Sequence, residues 1–192
     1  MNDTGVAVAV HTEKRYFKVD EYHRMGEAGV FPEDDRVELV EGEIIEMTPI
    51  GRRHASCVGR LTEILGRLSQ TVLWVQNPIQ LDALTELQPD IALLKRREDF
   101  YSRSYPAPDD VLLVVEVSDT SAAYDREVKL PLYARSRIPE VWLVDLNESV
   151  VEIYVQPEGK EYREARRVGR NESLAAHEVP GFSPIAVSDI LG

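Results

Sequence analysis

The stretch DVLLVVEVSDTSAAYDREVKLPLYA, Asp110 to Ala134, decides the fold. Its first part, Val111 to Val117, is apolar on both strand faces, the pattern of a central strand covered on both sides. One residue breaks that pattern, Glu116. A carboxylate there is costly to bury unless a cation or a hydrogen-bond donor answers it. A polar turn then leads into a helical segment, about Ala122 to Arg135, that carries Lys129. Lys129 and Tyr133 lie four apart and share a face. Pro131 removes one helix bond, which predicts a kink near Glu127; Leu132 and Tyr133 continue the pattern beyond it. The strand EVWLVDL, Glu140 to Leu146, follows. Strand, helix and strand of this length predict a right-handed crossover, with Glu140 to Leu146 parallel to the Glu116 strand.

On the N-terminal side, QPDIALLK reads as a strand with Asp90, Ala92 and Leu94 on one face. TVLWVQNPIQLD before it is a strand bent or ended at Pro78. The clearest helix comes earlier still. His54, Val58, Leu61, Leu65 and Leu68 step by four, three, four and three residues and form one buried stripe. His54 therefore begins an apolar face, as a core or capping histidine or as a site histidine. DRVELVEGEIIEM is a hairpin whose turn is Glu41-Gly42. In its first strand Glu38 points away from Val37 and Leu39. VDEYHRMGEAG is a short helix stopped at Gly29. Residues 1–15 read as a flexible tail and 16–192 as a single domain. On the C-terminal side, NESVVEIYV and YREARRV form an antiparallel meander, and VPGFSPIAVSDILG packs a short apolar end segment.

Composition narrows the function. At 192 residues and 43% hydrophobic, the chain suits one domain with a proper core. No apolar run approaches the roughly 20 residues needed to cross a bilayer, and the N-terminus lacks the pattern of a secretory signal. A cytoplasmic protein without a membrane partner is the expectation. The single cysteine, Cys57, excludes an internal disulfide and a cysteine zinc cluster, and reads as a small packing residue. A net charge of −12 argues against sequence-independent binding to a polyanion. Basic residues are still grouped locally, at Arg52-Arg53 and at Lys95-Arg96-Arg97, where a solvated loop is the plain reading.

Asp90 and Glu116 lie in two strands that a meander places side by side, about 5 Å apart in the pairing direction. At an effective dielectric of about 20, two such charges near 4 Å repel by on the order of 4 kcal/mol. A divalent cation removes that penalty, and oxygen-only ligands suit Mg²⁺ or Mn²⁺. A shared proton is the alternative. Lys129 comes over the same place from the crossover helix.

Pro89-Asp90 followed by a strand ending Val115-Glu116-Val117-Ser118 resembles the PD-(D/E)XK nuclease pattern. RVELVEGEIIEMTPIGRRHA, QPDIALL, LLVVEVSDTS, YDREVKLPLYA and IPEVWLVD together resemble the Uma family of restriction-endonuclease-like proteins, over about Tyr16 to Leu191. The resemblance implies an α/β restriction-endonuclease-like core, a central mixed β-sheet flanked by helices, here with an N-terminal helix and β-hairpin. It implies Mg²⁺- or Mn²⁺-dependent hydrolysis of DNA, with Asp90 and Glu116 holding the metal. The lysine of the parent pattern, two residues after Glu116, is replaced by Ser118. Lys129 stands as the relocated lysine, with Ser118 placed to bond it or the attacking water. Glu38 stands as the further acid, with Glu63 on the long helix as its rival. His54 completes the candidate catalytic set of Lys129, Glu38 and His54. A homodimer would give the two sites that cutting both strands of a duplex needs.

Plainer readings compete. Asp90 could simply begin a strand, and Glu116 with Lys129 could be a buried ion pair, although such pairs stabilise poorly. Asp125 and Arg126 read as a helix-start charge and a phosphate or carboxylate contact. Asp145 is expected in solvent; Tyr133 and Trp142 are expected in the core. The alternative functions are an inactive nuclease-fold binding or assembly module and a hydrolase of small phosphoesters.

Overall fold

The computed structural model describes residues 13–32 and 35–192. Most of the expected tail, residues 1–15, therefore lies outside the described residues. The chain opens with helix α1 (Val19–Glu27), whose first turn is acidic and whose end leads to Gly29 at φ +71°. Strands β1 (Val37–Val40) and β2 (Glu43–Glu46) form the expected hairpin. Glu41 and Gly42 both take positive φ there, as a two-residue turn matched to strand twist requires. Helix α2 (Arg52–Leu65) buries Cys57, Val58, Leu61 and Leu65.

The segment 71–82 is two strands rather than one bent strand. β3 (Thr71–Val75) ends before Pro78, and β4 (Ile79–Gln80) joins a different sheet. Gln76 at φ +50° makes the corner, and Pro78 brings no N–H to a ladder. Strands β5 (Glu86–Leu87), β6 (Ile91–Lys95) and β7 (Val111–Ser118) follow. The crossover then runs through α3 (Ala122–Tyr124), a π-helical turn (Asp125–Lys129) and α4 (Leu130–Arg135). Next come β8 (Glu140–Asp145), β9 (Val150–Glu158), β10 (Glu161–Gly169), β11 (Ser173–Leu174), β12 (Ile185–Ala186) and α5 (Val187–Leu191).

Among the described residues the main sheet has six strands in the order β10-β9-β8-β7-β6-β3. β7 and β8 run parallel, and the other neighbours are antiparallel, so the sheet is mixed as expected. A smaller sheet, β2-β1-β5-β4, carries the hairpin.

Alternation along the strands assigns the two faces. Ile91, Leu93, Leu113, Val115 and Val117 pack with the apolar stripe of α2. Ala92, Leu94, Val114, Leu132, Tyr133 and Val141 make a second core on the α4 side. The period of two therefore turns Glu116 toward the crossover helices, since it shares parity with Val114.

Candidate active site

Register brings the two carboxylates together. Ile91 pairs with Val115 across the antiparallel β6–β7 ladder, so the same register one step further sets Asp90 opposite Glu116. Asp90 Oδ2 accepts the Val117 main-chain N–H at 2.9 Å, and the Asp90 N–H reaches Glu116 Oε2 at 3.4 Å. Glu38 arrives from the hairpin of the smaller sheet, held by the Gln88 N–H at 2.7 Å. Lys129 spans the two acids: its Nζ donates to Glu38 Oε1 at 2.9 Å and to Glu116 Oε1 at 3.2 Å. All four side chains are buried, yet Asp90, Glu116 and Lys129 line one wall of an open cleft of about 420 Å³.

The position of Lys129 depends on the helix defect. Pro131 lacks an N–H, and its ring crowds the carbonyl four residues back. The chain answers with a wider turn rather than a simple kink: the Leu130 N–H reaches the Asp125 carbonyl, an i→i+5 bond. That turn ends on Lys129, and Tyr133 follows one α-helical step later. Tyr133 donates from its hydroxyl to Glu116 Oε1 at 2.6 Å. Its expected place was the core; it is buried, but its polar end belongs to the site. The four-residue spacing from Lys129 was the available signal, since it set both residues on the face toward Glu116.

His54 is tied to the same cluster. Its Nε2 lies 2.9 Å from Asp90 Oδ2, so Nε2 carries the hydrogen, and its buried Nδ1 has no partner among the described residues. Tyr124, also lining the cleft, has a buried hydroxyl without a partner there. Burial and nearby acids push that phenol up to about 12.

Glu63, the rival acid, is largely in solvent, as its step off the apolar stripe favours, and pairs with Arg67 one turn on. Two expectations are corrected. Ser118 bonds neither Lys129 nor an open position. It donates to Asp125 Oδ2 at 2.7 Å, as Ser121 does, because the first turn of the crossover folds back over the end of β7. Asp145 is not in solvent. β8 lies between β7 and β9, which buries Asp145; it accepts from Arg126 at 2.7 Å and from the Asn147 and Glu148 N–H groups. Arg126 also grips Glu152 at 3.0 Å, the carboxylate contact foreseen for it. Trp142 and Cys57 are core residues, as expected.

The electrostatics are lopsided. Glu38, Asp90, Glu116 and Asp125 are all buried around one lysine. Burial, with the neighbouring Asp125, Asp90 and Glu38 charges, pushes the Glu116 carboxyl up to about 8 despite Lys129. For Lys129 burial works downward, but Glu116, Glu38 and Asp125 outweigh it and hold the ammonium above its ordinary value. The cluster is short of positive charge. No group of three or more His, Cys, Asp or Glu side chains among the described residues forms a ready-made metal cage. Asp90 and Glu116 are the pair that could hold a cation. Mg²⁺ keeps several waters and is commonly bound through one or two carboxylates, so an oxygen-only pair on an open cleft fits it. Glu116 Oε1 is taken by Lys129 and Tyr133, whereas Oε2 has only the long contact from the Asp90 N–H.

The family model Uma2, described as "Putative restriction endonuclease", matches residues 19–188. Among curated proteins nothing matches. Among solved structures, the chain is similar to a crystal structure described as "a putative nuclease belonging to DUF820" from Anabaena variabilis ATCC 29413. The TM-score is 0.69 at 15% sequence identity, over 91% of this chain and 97% of that chain. At that identity the likeness speaks for the fold alone: a mixed sheet flanked by helices.

Proposed function

The chain belongs to the Uma2 family, described as putative restriction endonucleases, and on that premise we propose that it is a Mg²⁺- or Mn²⁺-dependent endonuclease hydrolysing DNA phosphodiester bonds. A nuclease-like function is what the family and the fold support. The finer reading rests on one observation: Asp90, Glu116 and Lys129, from three separate places in the chain, meet at one cleft, with Glu38 buried behind them on the same single ammonium.

Asp90 and Glu116 would hold the metal. When bound, a divalent cation supplies Lewis acidity, polarising the phosphate and easing deprotonation of the attacking water. The chain's own groups have separable tasks. Tyr133 and Lys129 fix Glu116 through Oε1, while His54 and the Val117 N–H fix Asp90 through Oδ2. His54 is thus a positioning residue for Asp90. Lys129, held in its charged form, is suited to orienting the water and to offsetting charge that develops on the phosphate, not to acting as a base. Glu38 restrains the ammonium from the far side.

Purified protein incubated with duplex, single-stranded and branched DNA, with Mg²⁺ or Mn²⁺ against EDTA, tests the proposal. Metal-dependent cutting lost in Asp90→Ala supports it; no cutting of any form by the wild type sinks it. A second reading, an inactive nuclease-fold binding module, has one observation in its favour. Lys129 already closes a buried ion-pair network with Glu38 and Glu116, which could serve structure alone. Calorimetry separates the two: Mn²⁺ binding abolished by Asp90→Ala supports the metal site, and heat unchanged by that variant supports the inert module.

A further inference from the structure

Beside the cleft lies a groove of about 420 Å³ where arginines gather in an otherwise acidic chain. Arg52, Arg53 and Arg60 come from α2, and Arg170 comes from the turn after β10. Ser56 and Ser149 add hydroxyls between them. The groove and the cleft share a wall. Residues 50–54 contribute Ile50 and His54 to the cleft and Arg52 and Arg53 to the groove. Arg53 ties the two together, donating to Asp119 Oδ1 at 2.8 Å and to Asn147 Oδ1 at 3.1 Å, just past the ends of β7 and β8.

The charge in the groove is mostly uncompensated by side chains. Of the four arginines, only Arg53 meets a carboxylate side chain among the described residues. Arg60 donates to neutral oxygens, the Ser56 hydroxyl at 2.7 Å and the Ile190 and Leu191 carbonyls at 2.9 and 2.6 Å. Those bonds hold the guanidinium in place without cancelling its charge. Arg170 donates to an oxygen of Gly192 at 2.5 Å; Gly192 is the last residue of the sequence, so this oxygen belongs to a carboxylate that offsets one of the groove's positive charges. Arg52 is exposed and has no ion-pair partner among the described residues. Such an array matches the fork geometry by which arginine grips phosphate oxygens.

We propose that this groove binds the phosphodiester backbone of the nucleic acid whose scissile phosphate enters the neighbouring cleft. The inference rests on the endonuclease reading for its ligand. The scale agrees: Arg60 lies six residues beyond His54, about 9 Å along the helix axis. A DNA strand carries one phosphate per roughly 3.4 Å of axis, so the groove reaches phosphates within about three nucleotides of the cut. A protein of net charge −12 cannot hold DNA by its overall field; a localised arginine groove beside the site is what lets it hold a strand there.

The test is fluorescence anisotropy of a labelled duplex in EDTA, so that binding is read without cleavage. Arg52→Ala and Arg170→Ala serve as probes, because Arg53 and Arg60 also brace the fold. Arg163→Ala, on the β9–β10 hairpin and paired with Glu158, is the control. Each probe variant is expected to weaken binding about three- to tenfold, alike for unrelated sequences, and to flatten the salt dependence by about one unit of slope. Arg52→Lys should restore the salt slope, because the charge returns, but only part of the affinity, because the fork does not. Affinity and slope unchanged in the double variant, or lost equally in Arg163→Ala, overturn the groove. Adding Mg²⁺ separates this proposal from the one beneath it. Wild-type cutting that is unaffected in the double variant at limiting DNA sinks the groove and leaves the endonuclease. Binding through the groove without cutting by the wild type sinks the endonuclease and leaves the groove.

Discussion

At the scale of single residues, the cluster around Glu116 is an unstable arrangement that a metal would relieve. Removing Lys129 leaves Glu38 and Glu116 buried without their cation, a change that typically costs about 3–5 kcal/mol. Lys129→Ala is therefore expected to abolish cleavage and also to lower the denaturation midpoint, read by circular dichroism. Glu116→Gln should behave oppositely. The Glu116 carboxyl is raised from 4.5 to about 8 in the folded protein. Between those values the folded state keeps a proton that the unfolded state has lost, so stability falls as pH rises through the window. In the metal-free protein Glu116→Gln removes that loss. It should be more stable than wild type at pH 8, converge with wild type toward pH 4.5, and cut no DNA. Urea titrations at the two pH values decide it; a variant no more stable than wild type at pH 8 refutes the account. Tyr133→Phe deletes the hydrogen bond that orients Glu116, worth about 1 kcal/mol, and should slow cleavage about fivefold with the fold intact.

At the scale of elements, the π-helical turn is the part that makes the site. Its Arg126 pins it to the sheet through Asp145 and Glu152, at 2.7 and 3.0 Å. Burial alone would raise both acids; Arg126 and neighbouring hydrogen-bond donors more than reverse this and hold them below their ordinary values. Such depressed carboxylates stabilise the fold above their unfolded values, 3.8 and 4.5, and lose that contribution as pH falls further. Arg126→Ala should then cost about 1–3 kcal/mol at pH 7, narrowing toward pH 3, and should reduce cleavage because Lys129 loses its register. A loss of stability that persists unchanged at pH 3 would falsify the pinning role. Helix α2 offers an independent probe. Cys57 is fully buried on it, and burial pushes the thiol up to about 11. Native protein should resist a thiol reagent at pH 8 and react only as it unfolds.

At the scale of the whole molecule, a cation bound to the folded state alone raises stability by mass action, about 2.7 kcal/mol at a hundredfold excess over Kd. Mn²⁺ should raise the melting temperature of wild type and leave that of Asp90→Ala unmoved in a thermal scan. Among the described residues no helix is long and apolar enough to cross a membrane. A homodimer remains a proposal that sedimentation can test, and it matters because two related sites would let one particle cut both strands.

Local pattern and register determined much of this protein. The apolar run at Val111–Val117, the stripe on α2 and the spacing of Lys129 and Tyr133 specify central strand, covering helix and crossover, because alternation and helical period are properties of neighbours in the chain. They also set Asp90 and Glu116 on facing strands, since pairing register follows from which face is apolar. What only the tertiary structure decided were the partners across long separations. Glu38 reaches Lys129 from a second sheet, His54 reaches Asp90 from α2, and Arg126 finds Asp145 and Glu152. Arg170 joins the three arginines of α2 in one groove. The widened turn before Pro131 belongs here too: a proline announces a defect, but the packing of both ends against the sheet selects a π turn over a kink. A buried charge takes whichever partner the folded chain brings within a few ångströms, and sequence distance says nothing about that.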